Sequence, residues 1–217
     1  MLDVYKNFFN VRMMMKLAAL ALLTATLFAG HANAAPISAI DLTAVGSSTF
    51  NYSGTLGWSF KAKSDMNVGA LGQWDFQDNG LSSSSWVGIW DASNNLLASV
   101  TVGTGTAGTL IGHYRYADIS DITLQAGKTY TIGSTFSGSV MLSSYAGYSF
   151  TPAAQLSEVK GAWNSSPKTA LTSFVGSSAI YGGANFLITN EVPEPGSLAL
   201  IGLGILGAAV ARCRKAG

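Results

Sequence analysis

Across residues 35–191 the apolar residues repeat with a period of two, and nowhere with a sustained period of 3.6. A chain patterned this way buries one face of each segment as a strand, which excludes a helical framework. Leu56, Trp58 and Phe60 alternate with Thr55, Gly57 and Ser59. Leu96, Ala98, Val100 and Val102 enclose Ser99 and Thr101. Leu110, Gly112, Tyr114 and Tyr116 read as one strand face, with Ile111, His113 and Arg115 opposite. Tyr130 and Ile132, then Phe186 and Ile188, mark two later strands.

Turn formers punctuate these runs at the short intervals of a sandwich or barrel. Asp78-Asn79-Gly80 supplies residues that tolerate positive φ. Asp91-Ala92-Ser93-Asn94-Asn95 joins 86–90 to 96–100 as a hairpin. Leu124 to Tyr130 has the layout of a tyrosine corner, in which a tyrosine near the start of a strand bonds backbone a few residues upstream. That device closes a Greek-key crossover. The expected fold is therefore all-β: a single Greek-key or jelly-roll-like β-sandwich over residues 35–191.

Charge narrows the function classes. Only 11% of the 217 residues are charged, and the net charge is +1. Acids outnumber bases nine to six across 35–191, so no cationic patch for nucleic acid is expected. Cys213 is the single cysteine, which excludes an intrachain disulfide framework and a multi-cysteine zinc site.

The two ends read as addresses. Lys6, Arg12 and Lys16 precede an apolar run from Leu17 to Ala29, and Ala32-Asn33-Ala34 follows with Ala35 after it. This is the order of a signal peptide over 1–34, cleaved between Ala34 and Ala35, with Ala32 and Ala34 as the small residues of the cleavage site. At the other end, Pro193-Glu194-Pro195 precedes Leu198 to Ala211, all apolar or glycine, and then Arg212, Arg214 and Lys215. The prolines delay helix formation. The apolar run forms a short transmembrane helix, and the three cations stop it on the cytoplasmic side. Fourteen helical residues rise about 21 Å, short of a hydrocarbon core of roughly 30 Å, which suits a temporary anchor.

Triplet, apolar stretch and basic end together resemble the PEP-CTERM sorting signal of exported proteins in Gram-negative bacteria, here over residues 192–217. The resemblance implies recognition by an exosortase and cutting near the triplet. It also implies transient anchoring in the inner membrane and an association with exopolysaccharide, biofilm or floc matrix. Segments Trp58-Ser59-Phe60, 87–91, 95–99 and 124–133 further resemble an uncharacterised exported sandwich domain, a likeness that implies fold and no activity.

Candidate chemistry inside 35–191 is sparse. Gly103, Gly105 and Gly108 have dinucleotide-loop spacing, but the alternating residues after them predict a strand where such a site needs a helix. His113 lacks a nucleophile-elbow partner and reads as a strand histidine. Asp75 with Asp78, and Asp118 with Asp121, are the carboxylate pairs a secreted hydrolase would use. Asp75, Asp78 and Asp91 are the candidates for structural Ca2+, against their simpler role as turn formers. No other cofactor or metal is expected.

Trp86 and Trp90 lie on one strand face, with Val87 and Ile89 on the other. If Val87 and Ile89 point inward, the tryptophans lie outside or at a seam with a second sheet. They are then candidates for glycan stacking, as is the Tyr114 and Tyr116 face; core packing is the competing role. The expected protein is a non-enzymatic envelope or matrix component, structural or adhesive. A cell-surface carbohydrate-binding module is the alternative, and a secreted hydrolase comes third.

Overall fold

The computed structural model describes residues 35–44, 53–137, 147–176 and 179–189. In chain order the strands are β1 (Ile37–Ser38), β2 (Ile40–Ala44), β3 (Ser53–Ala62), β4 (Met66–Trp74), β5 (Ser85–Asp91), β6 (Leu96–Val102) and β7 (Thr109–Ile111). Then come β8 (Tyr114–Leu124), β9 (Thr129–Ser137), β10 (Ser149–Pro152), β11 (Leu156–Asn164), β12 (Ser173–Phe174) and β13 (Ala184–Ile188). One 3-10 turn, Phe76–Asp78, is the only helical element among the described residues.

The strands form a five-stranded sheet ordered β1-β13-β4-β8-β7 and a six-stranded sheet ordered β12-β11-β3-β9-β5-β6. A separate pair joins β10 to β2. All pairings are antiparallel between the described strands. The chain crosses repeatedly between the two large sheets, as the all-β sandwich expectation requires. The tyrosine corner is present: Gln125 N donates to Tyr130 Oη at 2.8 Å where β8 leads into β9.

The core lies between the two large sheets. Trp58 of β3 stacks on Phe186 of β13, with centroids 5.8 Å apart. Phe60 packs on the same ring at 5.2 Å. Trp58 Nε1 donates to Ala184 O at 2.8 Å, so the indole joins one sheet to the other without leaving a buried donor unpaired. Val87 and Ile89 of β5 are fully buried in this core.

Both large sheets are also covered on part of their outer faces. The register places Asn185, Gly72 and Tyr116 side by side on the face of the five-stranded sheet opposite Phe186. There Asn185 Oδ1 accepts from Ile40 N at 3.2 Å, and Asn185 Nδ2 donates to Ile40 O at 2.8 Å. These bonds hold β2 over the sheet. On the six-stranded sheet, Gly57, Gly133 and Gly88 pair in register across β3, β9 and β5. The absent side chains leave a trench there. Leu171 approaches to 3.1 Å of a Cβ built at Gly133, and the Trp86 ring lies over Gly88.

The region after Leu110 differs from its predicted form. Gly112 and His113 are not in a strand: both have positive φ (52° and 70°) and make the tight turn between β7 and β8. Leu110 therefore pairs back onto Arg115 and does not continue the line of Tyr114 and Tyr116. Alternation continued through the turn, so the Gly-His pair was the only local mark of it.

Candidate functional site

Asp75 follows β4 and opens a tight loop toward β5. Its carboxylate is fully buried and accepts from Arg115 Nε at 2.7 Å. Gly80 N donates to both Asp75 oxygens at 3.0 Å, which closes the loop on its own first residue. Arg115 is buried too, and its other nitrogens donate to Thr106 O at 3.3 Å and Asp78 O at 3.4 Å. A buried ion pair holds only when its polar atoms find partners, and here each Arg115 nitrogen and both Asp75 oxygens have one. Asp75 N donates to His113 O at 2.9 Å, while Leu81 and Gly105 exchange two backbone bonds. The half-exposed His113 Nδ1 meets Asp78 Oδ2 at 2.9 Å. Residues 75–81 are thus strapped from three sides.

This strapped loop forms one wall of a cleft of about 510 Å³. Trp74, Phe76, Asn79, Leu81 and the run Ser82–Ser85 line it, faced by Ser53, Thr135, Pro167 and Lys168. Phe76 is 41% exposed and meets Trp74 edge-on, with centroids 5.4 Å apart. Trp74 is in turn held edge-on by Tyr148 at 5.6 Å. At the base, Ser85 Oγ donates to Gln73 Oε1 at 3.0 Å and reaches Thr135 O at 3.1 Å. Gln77, Asp78 and Lys168, on or beside the rim, have positive φ of 66°, 59° and 58°. Such backbone costs energy in residues other than glycine and persists where surrounding bonds fix it.

The glycan-stacking candidates fare differently from their prediction. Tyr114 and Tyr116 do share a face, but both are buried, and neither offers a platform. Tyr114 Oη donates to Gly182 O at 2.7 Å, and Tyr116 Oη lies 2.8 Å from Ser38 Oγ. Burial raises both hydroxyls well above their ordinary pKa, with the Asp41 charge adding to it. Alternation reported the shared face correctly but carried no sign that distant segments, among them Ser38 and Gly182, would bury it. Trp86 and Trp90 lie on the outer face, as follows from inward Val87 and Ile89. Their rings close to 5.6 Å, and Trp90 is only 3% exposed, so the two form a packed pair and not an open double platform.

The carboxylates are similarly occupied. Asp91 accepts from Ser93 N, Asn95 N and Asn95 Nδ2 at 2.8–2.9 Å, which makes it the cap of the β5–β6 hairpin. Asp75, Asp78 and Asp91 do not gather into one set, and no group of three metal-ligating side chains occurs among the described residues. Asp118 and Asp121 are exposed on β8, where the pairing with β4 shifts register. Gly103, Gly105 and Gly108 lie in the loop before strand β7, not before a helix. Sequence reasoning missed the Asp75–Arg115 pair and the cleft; Phe76 beside the serine run was its only local trace.

Ala35 is exposed. Ala32 and Ala34, the motif Pro193, Glu194 and Pro195, the apolar run and its stop Arg212, Arg214 and Lys215 lie outside the described residues. Among the described residues no helix is long and apolar enough to cross a membrane.

Residues 191–215 match the family model for the PEP-CTERM protein-sorting motif. The chain is accordingly an exported protein bearing a PEP-CTERM sorting domain, anchored transiently at a membrane and processed by an exosortase. No curated protein matches the chain.

Proposed function

We propose that the sandwich is a non-catalytic structural or adhesive module of the cell envelope or extracellular matrix of a Gram-negative bacterium, associated with exopolysaccharide. Export begins with cleavage after Ala34 and ends with release or relinking at Pro193-Glu194-Pro195. The observation that carries this reading is where the fold closes. Strand β13 lies between β1 and β4, is buried along its whole length, and ends at Ile188. Thr189 N then donates to Asn67 O at 2.8 Å, and the sorting motif begins at residue 191. A cut at the triplet therefore leaves every described strand of the sandwich intact.

Of the carboxylates that would serve hydrolysis, Asp75 supports the same reading. Asp75, held by Arg115 and Gly80, is fully buried and turns no oxygen toward a substrate. The module works without Ca2+ or another cofactor, so a chelator leaves its melting temperature unchanged.

Replacing Pro193, Glu194 and Pro195 by alanine tests the sorting half. Expressed with its exosortase, the variant accumulates uncut in the membrane fraction, while its sandwich melts as in the wild type. Normal processing of that variant would overturn the proposal. Loss of the gene weakens retention of the polysaccharide matrix; a matrix of unchanged cohesion would remove the structural role.

A further inference from the structure

We propose that the cleft between Phe76 and the Ser82–Ser84 run binds a pyranose unit of a polysaccharide, with a preference for one that carries a carboxylate. A pyranose has an apolar C–H face and a rim of hydroxyls. Phe76 supplies a ring fixed by its edge contact with Trp74 yet still 41% exposed. Ser82, Ser83, Ser84 and Asn79 are all exposed around the same cleft, and their side chains make no hydrogen bond to the described residues. Serine and asparagine both donate and accept, which matches sugar hydroxyls. Among the described residues of the lining Lys168 is the single charged side chain, and its ammonium favours an acidic sugar.

The walls are preorganised. The Asp75–Arg115 pair and the Leu81–Gly105 exchange hold the Phe76 loop before any ligand arrives, which lowers the ordering cost of binding. The strained residues Gln77, Asp78 and Lys168 gather at this rim. The volume of about 510 Å³ falls in the span of small-molecule sites.

The inference deepens the matrix reading and takes from it only the choice of polymer. Binding is measured on the purified full chain in mild detergent. The sorting variant above is scored separately, so either idea can fail alone. The probes are hexagalacturonate, cellohexaose and free galacturonic acid, followed by calorimetry and tryptophan fluorescence. Hexagalacturonate binds several-fold more tightly than cellohexaose, and the gap narrows in high salt. Free galacturonic acid binds more weakly than the hexamer, which identifies a polymer and not a free sugar as the ligand. Phe76→Ala weakens hexamer binding about tenfold, and Phe76→Tyr restores it. Lys168→Ala abolishes the preference for the acidic hexamer. Both alanine variants melt as the wild type does. The proposal is overturned if neither hexamer binds, or if Phe76→Ala binds like the wild type. Equal affinity for the two hexamers would remove the role given to Lys168.

Discussion

Asp75 and Asp91 each close a turn by accepting backbone N–H groups, one inside the protein and the other at its surface. Asp75 is fully buried, and Arg115, which reaches it from 40 residues away, neutralises it. Asp91 is served entirely by the next four residues of its own hairpin. Water can replace any partner Asp91 loses. Nothing replaces Arg115, because a carboxylate left alone in a low-dielectric interior has no other source of solvation. The same side chain in the same local role is thus a tertiary anchor in one turn and a local cap in the other.

Asp75→Ala has the largest expected effect. It strands Arg115 in the interior and releases Gly80, at an expected cost of about 3–5 kcal/mol. In a thermal melt that is a fall of about 10 °C in Tm. A change within about 1 kcal/mol would show the pair to be solvated and the contrast false. The double variant Asp75→Leu with Arg115→Met sharpens the point. Removing both charges costs less than removing either one, since no unpaired charge remains; chemical denaturation of the double variant, of Asp75→Ala and of Arg115→Met checks it.

Asp91→Asn comes next, with a fall in Tm clearly smaller than that of Asp75→Ala at pH 7. Its pH dependence has a definite sign. Hydrogen bonds from the Asn95 side chain first, then from the Asn95 and Ser93 backbone, hold the Asp91 carboxyl below its ordinary 3.8. The folded state therefore favours the ionised form. The stabilisation is complete above 3.8 and is lost as pH falls through the lower folded value. Melts from pH 7 to pH 3 should show the wild type and Asp91→Asn converging only at the acid end. Convergence at neutral pH would remove the cap from the account.

The smallest effect belongs to the half-exposed His113–Asp78 pair. His113→Gly loses that contact but relieves a positive φ of 70°, and the two changes offset to within about 1 kcal/mol. A loss of several kcal/mol would mean that the pair carries the loop and Arg115 does not.

How much could be read in advance follows the same line of local against distant. The β5–β6 hairpin was legible because its strands, its aspartate cap and its turn all lie within residues 85–102. The tyrosine corner was legible for the same reason, since Gln125 and Tyr130 are five residues apart. The shared face of Tyr114 and Tyr116 was legible, but its burial was not, because their hydroxyl partners Ser38 and Gly182 lie 78 residues upstream of Tyr116 and 68 residues downstream of Tyr114. The Gly112–His113 turn escaped because period-two alternation ran through it without a break.

The order of side chains along the chain was enough to determine an all-β sandwich, since burying one face of a strand imposes a period of two on the residues themselves. It was also enough for the sorting motif, which is a linear pattern of triplet, apolar run and cations. Only the tertiary structure decided which sheet faces are covered, which aspartate is neutralised, and that Phe76, Ser82–Ser84 and Lys168 surround one cleft. Those outcomes depend on contacts between segments far apart in sequence, and such contacts leave no periodic mark on either partner.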